Sequence, residues 1–209
     1  MSFLIPATPI IGSALLAIYG KCSQGKYIHY VFKPLTIILI IFFALARRPD
    51  TGSFYKFLII AALIFSLIGD VLLMLPKSQF IQGLLAFSIA HIIYCLAFMQ
   101  NVGRFYFLIL VPILFYGTSN YFVLSKNLSK LRIPVFFYVM IITLMGWLAV
   151  NRYLNFQDSK GLYTLIGGIL FLISDSILAI NKFKKHFKFA EVIILGSYFS
   201  AQLFFALSI

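Results

Sequence analysis

Acidic residues are scarce in this sequence, which has five Asp and Glu among 209 residues against 17 Lys and Arg. Charged residues of both signs make up only 11% of the chain, and hydrophobic residues make up 62%. A soluble domain is roughly half apolar and about a quarter charged. The shortage of charge therefore excludes an ordinary soluble domain and indicates an integral membrane protein.

Cysteine and histidine are also few, and several chemical motifs are missing. Cys22 and Cys95 form no CxxC pair, so they indicate neither a disulfide framework nor a redox motif. The three histidines form no HxxH or HxxxH pair, which argues against a histidine-rich zinc site. The chain has no GxSxG element and no glycine-rich phosphate loop.

Long apolar runs fill almost the whole chain. A helix of about 20 apolar residues crosses the roughly 30 Å hydrocarbon layer of a bilayer. Such runs lie near residues 3–20, 27–45, 55–75, 79–100, 104–124, 132–150, 161–180 and 189–208. No Lys or Arg precedes the first run, so it is interpreted as a span and not as a secretory signal. We predict an all-α polytopic membrane protein with eight transmembrane helices in one domain, residues 1–209.

The basic residues lie in the short loops between these runs. They do not form a polar face interleaved with aromatic residues, so nucleic acid is not an expected partner. Ten of them follow the first, third, fifth and seventh runs, and six follow the others. The positive-inside bias then places the first set in the cytoplasm and both termini outside. Loops 126–132 and 182–188 are expected to contact lipid phosphate. The expected location is a plasma or inner membrane, and no protein partner is implied.

Two of the five acidic residues, Asp70 and Asp175, lie inside apolar runs. Each is about five residues, or about 8 Å, from the predicted cytoplasmic end of its helix. Ionisable groups inside a membrane are costly and usually face a bundle interior or a wet cavity, so they are functional candidates by default. The alternative is a structural ion pair, for example between Lys33 and one aspartate.

Other polar residues share this level or share a helix face with one another. His91 pairs with Tyr94 on one helix, and Glu191, Tyr198 and Gln202 form a stripe on the last. His91 has an alternative interpretation as a packing residue, and the tyrosines as interfacial side chains. The supporting candidates are Lys33, His91, Tyr94, Asn120, Glu191, Tyr198 and Gln202.

A weak internal repeat relates the two aspartates. A shift of 105 residues lays LIGDVLLMLPK (67–77) over LISDSILAINK (172–182), matching Leu, Ile, Asp, Leu and Lys. With four helices per half, the halves have the same orientation about an axis along the membrane normal. The repeat predicts two parallel four-helix halves with Asp70 and Asp175 on opposite sides of one central cavity.

Two carboxylates in a low-dielectric site can differ in protonation, so that one is a proton donor and the other a charged partner. This pair suits acid-catalysed cleavage of an ether or acetal in a lipid. It also suits a proton-coupled transporter of a small molecule or lipid. A metal-dependent lipid amidase or esterase and a non-catalytic lipid-binding protein remain further alternatives.

Five blocks of the chain, taken in order, are similar to the YhhN family of eight-helix membrane proteins. They are KPLT (33–36), SLIGDVLLM (66–74), FIQGLLAFSIAHIIY (80–94), GGILFLISDSILAINKF (167–183) and SYFSAQ (197–202). Characterised members of that family are lysoplasmalogenases. The residues on its motif positions are Lys33, Asp70, His91, Tyr94, Asp175 and Gln202.

The resemblance implies hydrolysis of the vinyl-ether bond of lysoplasmalogens to a fatty aldehyde and glycerophosphocholine or glycerophosphoethanolamine. Asp70 and Asp175 are then the expected catalytic residues, one as general acid and the other stabilising the cation and directing water. The expected partners are a lysophospholipid substrate and membrane lipids. The scheme requires no metal or organic cofactor.

The topology can be tested by labelling a cysteine in loop 182–188. We expect Lys184→Cys, in a Cys22→Ser background, to react with a membrane-impermeant maleimide only after permeabilisation, because the more basic loops stay in the cytoplasm. Labelling of intact cells would show that this loop faces outward, which is the reverse of the predicted orientation.

Overall fold

The computed structural model describes residues 4–23, 25–75 and 79–209, with side chains from residue 7. This part of the chain is all-α and contains no strand. Two short 3-10 turns, Phe107–Ile109 and Ser129–Leu131, precede the fifth and sixth helices. The helices are α1 (Leu4–Cys22), α2 (Lys26–Ala46), α3 (Ser53–Met74), α4 (Phe80–Phe98), α5 (Leu110–Ser125), α6 (Arg132–Phe156), α7 (Ser159–Phe183) and α8 (Ala190–Leu207).

The predicted class, a multi-pass membrane protein, is confirmed. Seven of the described helices, α2 to α8, are long and apolar enough to cross a membrane, counting the 3-10 turns that lead into α5 and α6. The described apolar part of α1, Ala7–Cys22, is shorter. Large apolar side chains such as Leu108, Phe115 and Phe122 are strongly exposed on the outside of the bundle, as expected of surfaces that face lipid.

The predicted start of α5, near residue 104, is wrong because α6 binds the preceding segment in an extended form. The Asn155 side chain accepts a hydrogen bond from the Arg104 N–H at 3.0 Å, and the Asn151 side chain accepts one from the Tyr106 N–H at 2.6 Å. These bonds take backbone donors that a helix would otherwise use. The α-helix therefore starts at Leu110.

The predicted equal depth of the two aspartates is also inexact. Asp70 lies four residues before the end of α3, whereas Asp175 lies eight residues before the end of α7. Helix α7 continues beyond its predicted end at residue 180 as far as Phe183. Measured from the helix ends alone, Asp175 is about 6 Å deeper than Asp70.

The helix contacts agree with the predicted repeat only in part, since α1 also packs on α8 while α5 makes no comparable contact with α4 among the described residues. Helix α3 packs along α4, and α7 packs along α8 in the same way. Helix α2 contacts α8 in the other half, and α6 contacts α4 correspondingly. Helix α5 packs mainly on α6. Lys77, which the repeat pairs with Lys182, lies outside the described residues.

The α7–α8 contact depends on a residue without a side chain. A Cβ atom built on Gly167 would lie 2.6 Å from the Phe205 ring and 3.2 Å from the Ala201 carbonyl oxygen. Phe205 is fully buried, and its ring packs against Tyr94, Phe98 and Phe171. The ring therefore has little room to move away.

We expect Gly167→Ala to destabilise the protein by about 1–3 kcal/mol, the usual cost of overpacking a core. Gly196→Ala is the matched control, since a Cβ there meets nothing within 4 Å and alanine favours a helix by up to about 1 kcal/mol. Thermal unfolding in detergent measures both variants. Equal midpoints for the two would contradict the close packing at Gly167.

Candidate active site

A cavity of about 390 Å³ lies at one end of the bundle, within the usual size range of small-molecule sites. This is the end at which α1, α3, α5 and α7 finish and α2, α4, α6 and α8 begin, and we call it the cavity end. The inner polar wall consists of Lys33, Tyr138, Asp175 and Tyr198. Charged and exposed residues, including Lys21 and His186, line the mouth, so the cavity reaches the surface there.

Asp70 is buried behind this wall with two partners. The Lys33 ammonium is 2.9 Å from the Asp70 Oδ1 atom, and the side chains are 12% and 2% exposed, respectively. The Tyr198 hydroxyl donates a hydrogen bond to the Asp70 Oδ2 atom at 2.7 Å. The ion pair that the sequence allowed is therefore present. Lys33 and Tyr198 line the cavity, whereas Asp70 reaches it only through them.

Asp175 differs from Asp70 because it lies on the cavity wall itself and has a different partner. The Tyr138 hydroxyl donates a hydrogen bond to the Asp175 Oδ2 atom. No Lys or Arg forms an ion pair with Asp175 in the described ranges 4–23, 25–75 and 79–209. One aspartate thus has a cation beside it, while the other has a neutral hydroxyl.

The 105-residue offset relates the partners of the two aspartates as well as the aspartates themselves. The offset takes Asp70 to Asp175 and also takes Lys33 to Tyr138. Each partner belongs to the helix before its aspartate, α2 in one half and α6 in the other. Tyr138 was missed as a site residue, although the same offset would have found it.

Three predicted residues, His91, Tyr94 and Gln202, lie deeper in the bundle than the cavity wall. The Tyr94 hydroxyl donates to the Gln202 Oε1 atom at 2.5 Å. His91 is fully buried, with its ring centroid 5.3 Å from that of Tyr138 and 4.7 Å from that of Phe171. Neither ring nitrogen of His91 has a hydrogen-bond partner within the described part of the chain. These residues support the wall from behind.

The remaining predicted residues, Asn120 and Glu191, line the cavity nearer its mouth. The Asn120 amide donates to the Tyr116 carbonyl at 3.0 Å. Glu191, in the first turn of α8, lies 4.0 Å from the Lys21 ammonium. The structure thus brings seven candidates to the cavity or into contact with its wall, and places Tyr94 and Gln202 further in. The seven are Lys33, Asp70, His91, Asn120, Asp175, Glu191 and Tyr198.

The acidic and histidine side chains do not gather into a metal-binding set. Among the residues that the structure describes, no three His, Cys, Asp or Glu side chains are close enough together to hold a metal ion. Asp70 and Asp175 instead contact lysine and tyrosine side chains.

The Lys33–Asp70 pair provides a test of the site's electrostatics. We expect Lys33→Met to lower the free energy of unfolding by about 3–5 kcal/mol, because it leaves a buried carboxylate without its cation. The double variant Lys33→Met/Asp70→Asn should regain most of that loss. Thermal unfolding of the single and double variants in detergent measures this, and additive losses would contradict a direct pair.

Comparison with known proteins identifies the family. A YhhN family model matches residues 28–209. The "Uncharacterized membrane protein YhhN" of Escherichia coli O157:H7 is 24% identical over 91% of this chain and 91% of its own length. Human "Lysoplasmalogenase TMEM86B" is 32% identical over 89% of this chain and 77% of its own length. No solved structure shows significant similarity.

Bovine "Lysoplasmalogenase TMEM86A" is 31% identical over 89% of this chain and 80% of its own length. The relatives at about 30% identity are thus named lysoplasmalogenases, which are hydrolases of lipid metabolism. The match extends from α2 to the last residue and includes both aspartate sites, as the five sequence blocks predicted. The chain therefore belongs to the YhhN family of membrane proteins.

Proposed function

We propose that this protein hydrolyses the vinyl-ether bond of lysoplasmalogens, giving a fatty aldehyde and glycerophosphocholine or glycerophosphoethanolamine. The names of relatives such as human TMEM86B support this substrate class. The observation that carries the proposal is the unequal pair of aspartates at one cavity. Asp70 has an ammonium partner, whereas Asp175 faces the cavity beside a tyrosine hydroxyl.

Asp175 is the general acid in this proposal. A charged carboxylate in a low-dielectric site needs a cation close to it, and Asp175 has none among the described residues. Asp175 therefore enters the reaction with a proton. It also lies on the wall of the cavity, where a substrate can approach it.

The first step transfers the Asp175 proton to the β-carbon of the vinyl ether. The electrons of the carbon–carbon double bond form the new C–H bond, and the α-carbon becomes part of an oxocarbenium ion. The Asp175 carboxylate that remains stabilises this cation at short range. The Tyr138 hydroxyl keeps that carboxylate oriented by donating to it.

The later steps restore Asp175. Water adds to the oxocarbenium carbon and gives its proton to the Asp175 carboxylate, which acts as general base. The resulting hemiacetal then breaks its bond to the glycerol oxygen. That oxygen takes up the proton of the hemiacetal hydroxyl and leaves as an alcohol, and the α-carbon leaves as the aldehyde. The sum of these steps is the addition of one water molecule.

Asp70 acts through its two partners at the cavity wall. It holds the Lys33 ammonium at 2.9 Å and the Tyr198 hydroxyl at 2.7 Å. The Lys33 ammonium has further N–H donors for the glycerol oxygens and for water in the cavity, and the Tyr198 oxygen, whose own O–H is donated to Asp70, can accept a hydrogen bond there. The role of Asp70 is therefore positioning, while His91 and the Tyr94–Gln202 pair keep the wall in place from behind.

We infer that the cavity end faces the cytoplasm, because the more basic loops lie at that end. A transporter remains the alternative that the sequence left open. It would have to give its substrate access from both ends of the bundle. The residues that line the cavity come from the cavity end of the bundle only.

Aldehyde release by the purified protein in detergent tests the proposal. A lysoplasmalogen, its intact two-chain plasmalogen and an ordinary ester lysophospholipid are compared as substrates. We expect aldehyde from the vinyl-ether lysolipid and no hydrolysis of the ester. Asp175→Asn should reduce kcat by about 100-fold or more, the usual contribution of a general acid.

Asp70→Asn should reduce kcat by a smaller factor of about tenfold or more, since it releases positioning groups that act through hydrogen bonds. Asp50→Asn is the matched control, because Asp50 is an exposed carboxylate paired with Lys160 at 3.0 Å in the loop before α3, at the opposite end. It should retain full activity. The absence of aldehyde from the wild-type protein, or full activity of a folded Asp175→Asn variant, would refute the proposal.

A further inference from the structure

An ion pair of Lys21 and Glu191 lies at the mouth of the cavity. Lys21 is in the last turn of α1, and Glu191 is in the first turn of α8. The Lys21 Nζ and Glu191 Oε1 atoms are 4.0 Å apart, and the side chains are 42% and 34% exposed. Both residues line the cavity. The pair is thus open to solvent on one side and to the cavity on the other.

The polar surroundings of Glu191 suit a ligand that donates hydrogen bonds. The Asn181 amide donates to the Glu191 Oε1 atom at 3.4 Å, and Asn181 also lines the cavity. The nearby aromatic face of Phe80 already has a cation on it, since the Lys182 ammonium lies 4.1 Å from its ring centroid. Tyr30 and Tyr116 also line the cavity, so the preference for a primary ammonium rests on the Glu191 carboxylate and the Asn181 side chain and not on a lack of aromatic faces.

The mouth lies a defined distance from the reactive wall. On α8, Glu191 precedes Tyr198 by seven residues, and on α7, Asp175 precedes Lys182 by seven residues. Seven residues are two helical turns, so each pair shares a face, and its members are separated by about 10 Å along the axis. The Glu191 carboxylate also contacts Asn181, which follows Asp175 by six residues, or about 9 Å, along α7.

This spacing matches the length of a phosphoethanolamine headgroup. Nine bonds join the vinyl-ether oxygen of a lysolipid to its headgroup nitrogen, which is about 11 Å in an extended chain of single bonds. A substrate whose vinyl ether lies at Asp175 and whose headgroup extends along α7 therefore brings its ammonium group to the level of Asn181 and Glu191. Its phosphate and ammonium are about 5 Å apart, close to the 4.0 Å between the two charges of the pair.

We propose that Lys21 and Glu191 form a binding site for a zwitterionic phosphoethanolamine headgroup, with Lys21 contacting the phosphate and Glu191 the primary ammonium. The headgroup lies antiparallel to the protein's own charge pair, so each charge keeps an opposite partner. This inference rests on the proposed function, because the span is measured from a vinyl ether at Asp175.

The site distinguishes primary from quaternary ammonium groups. A primary ammonium has three N–H donors, which Glu191 and the Asn181 side-chain oxygen can accept. The trimethylammonium group of choline has no N–H donor and is recognised mainly by aromatic faces. A headgroup with a phosphate and no ammonium leaves Glu191 close to a second negative charge. The expected order of affinity is ethanolamine, then choline, then phosphate alone.

A purely structural role for the pair predicts a different outcome. Exposed ion pairs contribute about 0–1 kcal/mol to stability, so loss of one charge would change ligand binding little. The Lys160–Asp50 pair is the control, since it is also a lysine–carboxylate pair with an exposed carboxylate and is remote from the cavity. Asp50→Asn removes the same kind of charge as Glu191→Gln.

Calorimetric titration with short-chain saturated alkyl-ether lysolipids tests the site without catalysis, since these analogues have no vinyl ether to protonate. Three probes are used, with ethanolamine, choline or phosphate-only headgroups. Glu191→Gln should weaken binding of the ethanolamine probe by about five- to tenfold and strengthen binding of the phosphate-only probe. Lys21→Gln should weaken binding of all three, and Asp50→Asn should change none.

The outcomes separate this inference from the proposed function. The headgroup site is supported if the wild-type protein binds the ethanolamine probe most tightly and Glu191→Gln weakens that binding while strengthening binding of the phosphate-only probe. This holds even if no aldehyde is released. Aldehyde release without any headgroup preference, or with a preference that Glu191→Gln leaves unchanged, overturns the headgroup site alone. Failure of the wild-type protein to bind any of the probes also overturns it.

Discussion

A carboxylate within a bilayer is stable only beside a cation or with a proton on it, and the architecture of this protein depends on that constraint. Asp70 meets it through Lys33, 2.9 Å away, and through the Tyr198 hydroxyl. The pair therefore ties α2, α3 and α8 together at one point. In doing so it fixes two polar side chains on the wall of the cavity, and the reactive surface is built outward from there.

The two halves of the chain meet the same constraint in different ways. At equivalent positions the first half has lysine beside its aspartate, and the second half has tyrosine. A duplicated four-helix unit with identical partners would have two equivalent carboxylates and no division of roles. The exchange of one partner leaves a charged aspartate held by its cation and a second aspartate that can carry a proton. In the proposed mechanism, the asymmetry that acid catalysis needs follows from one pair of residues, Lys33 and Tyr138.

Much of this account could be predicted from the sequence, because apolar length and intramembrane charge are strong signals. They predicted the membrane class and the approximate helices, and they selected Asp70 and Asp175 as candidates, which the structure places behind and on the wall of one cavity. The late start of α5 could not be predicted, since it depends on the Asn151 and Asn155 side chains of another helix. Tyr138 was missed because one tyrosine among twelve carries no signal by itself; in the sequence, only the 105-residue offset from Lys33 distinguishes it.

The central claim is that cleavage begins with protonation of the β-carbon of a vinyl ether. Hydrolysis of a lysoplasmalogen in D₂O, followed by mass spectrometry of the aldehyde, tests it most directly. The account predicts one deuterium on the carbon next to the aldehyde group, because the Asp175 proton exchanges with solvent before each turnover. Authentic aldehyde kept in D₂O for the same time corrects for later exchange. Aldehyde without that deuterium would show that the bond is cleaved by another route and would contradict the account.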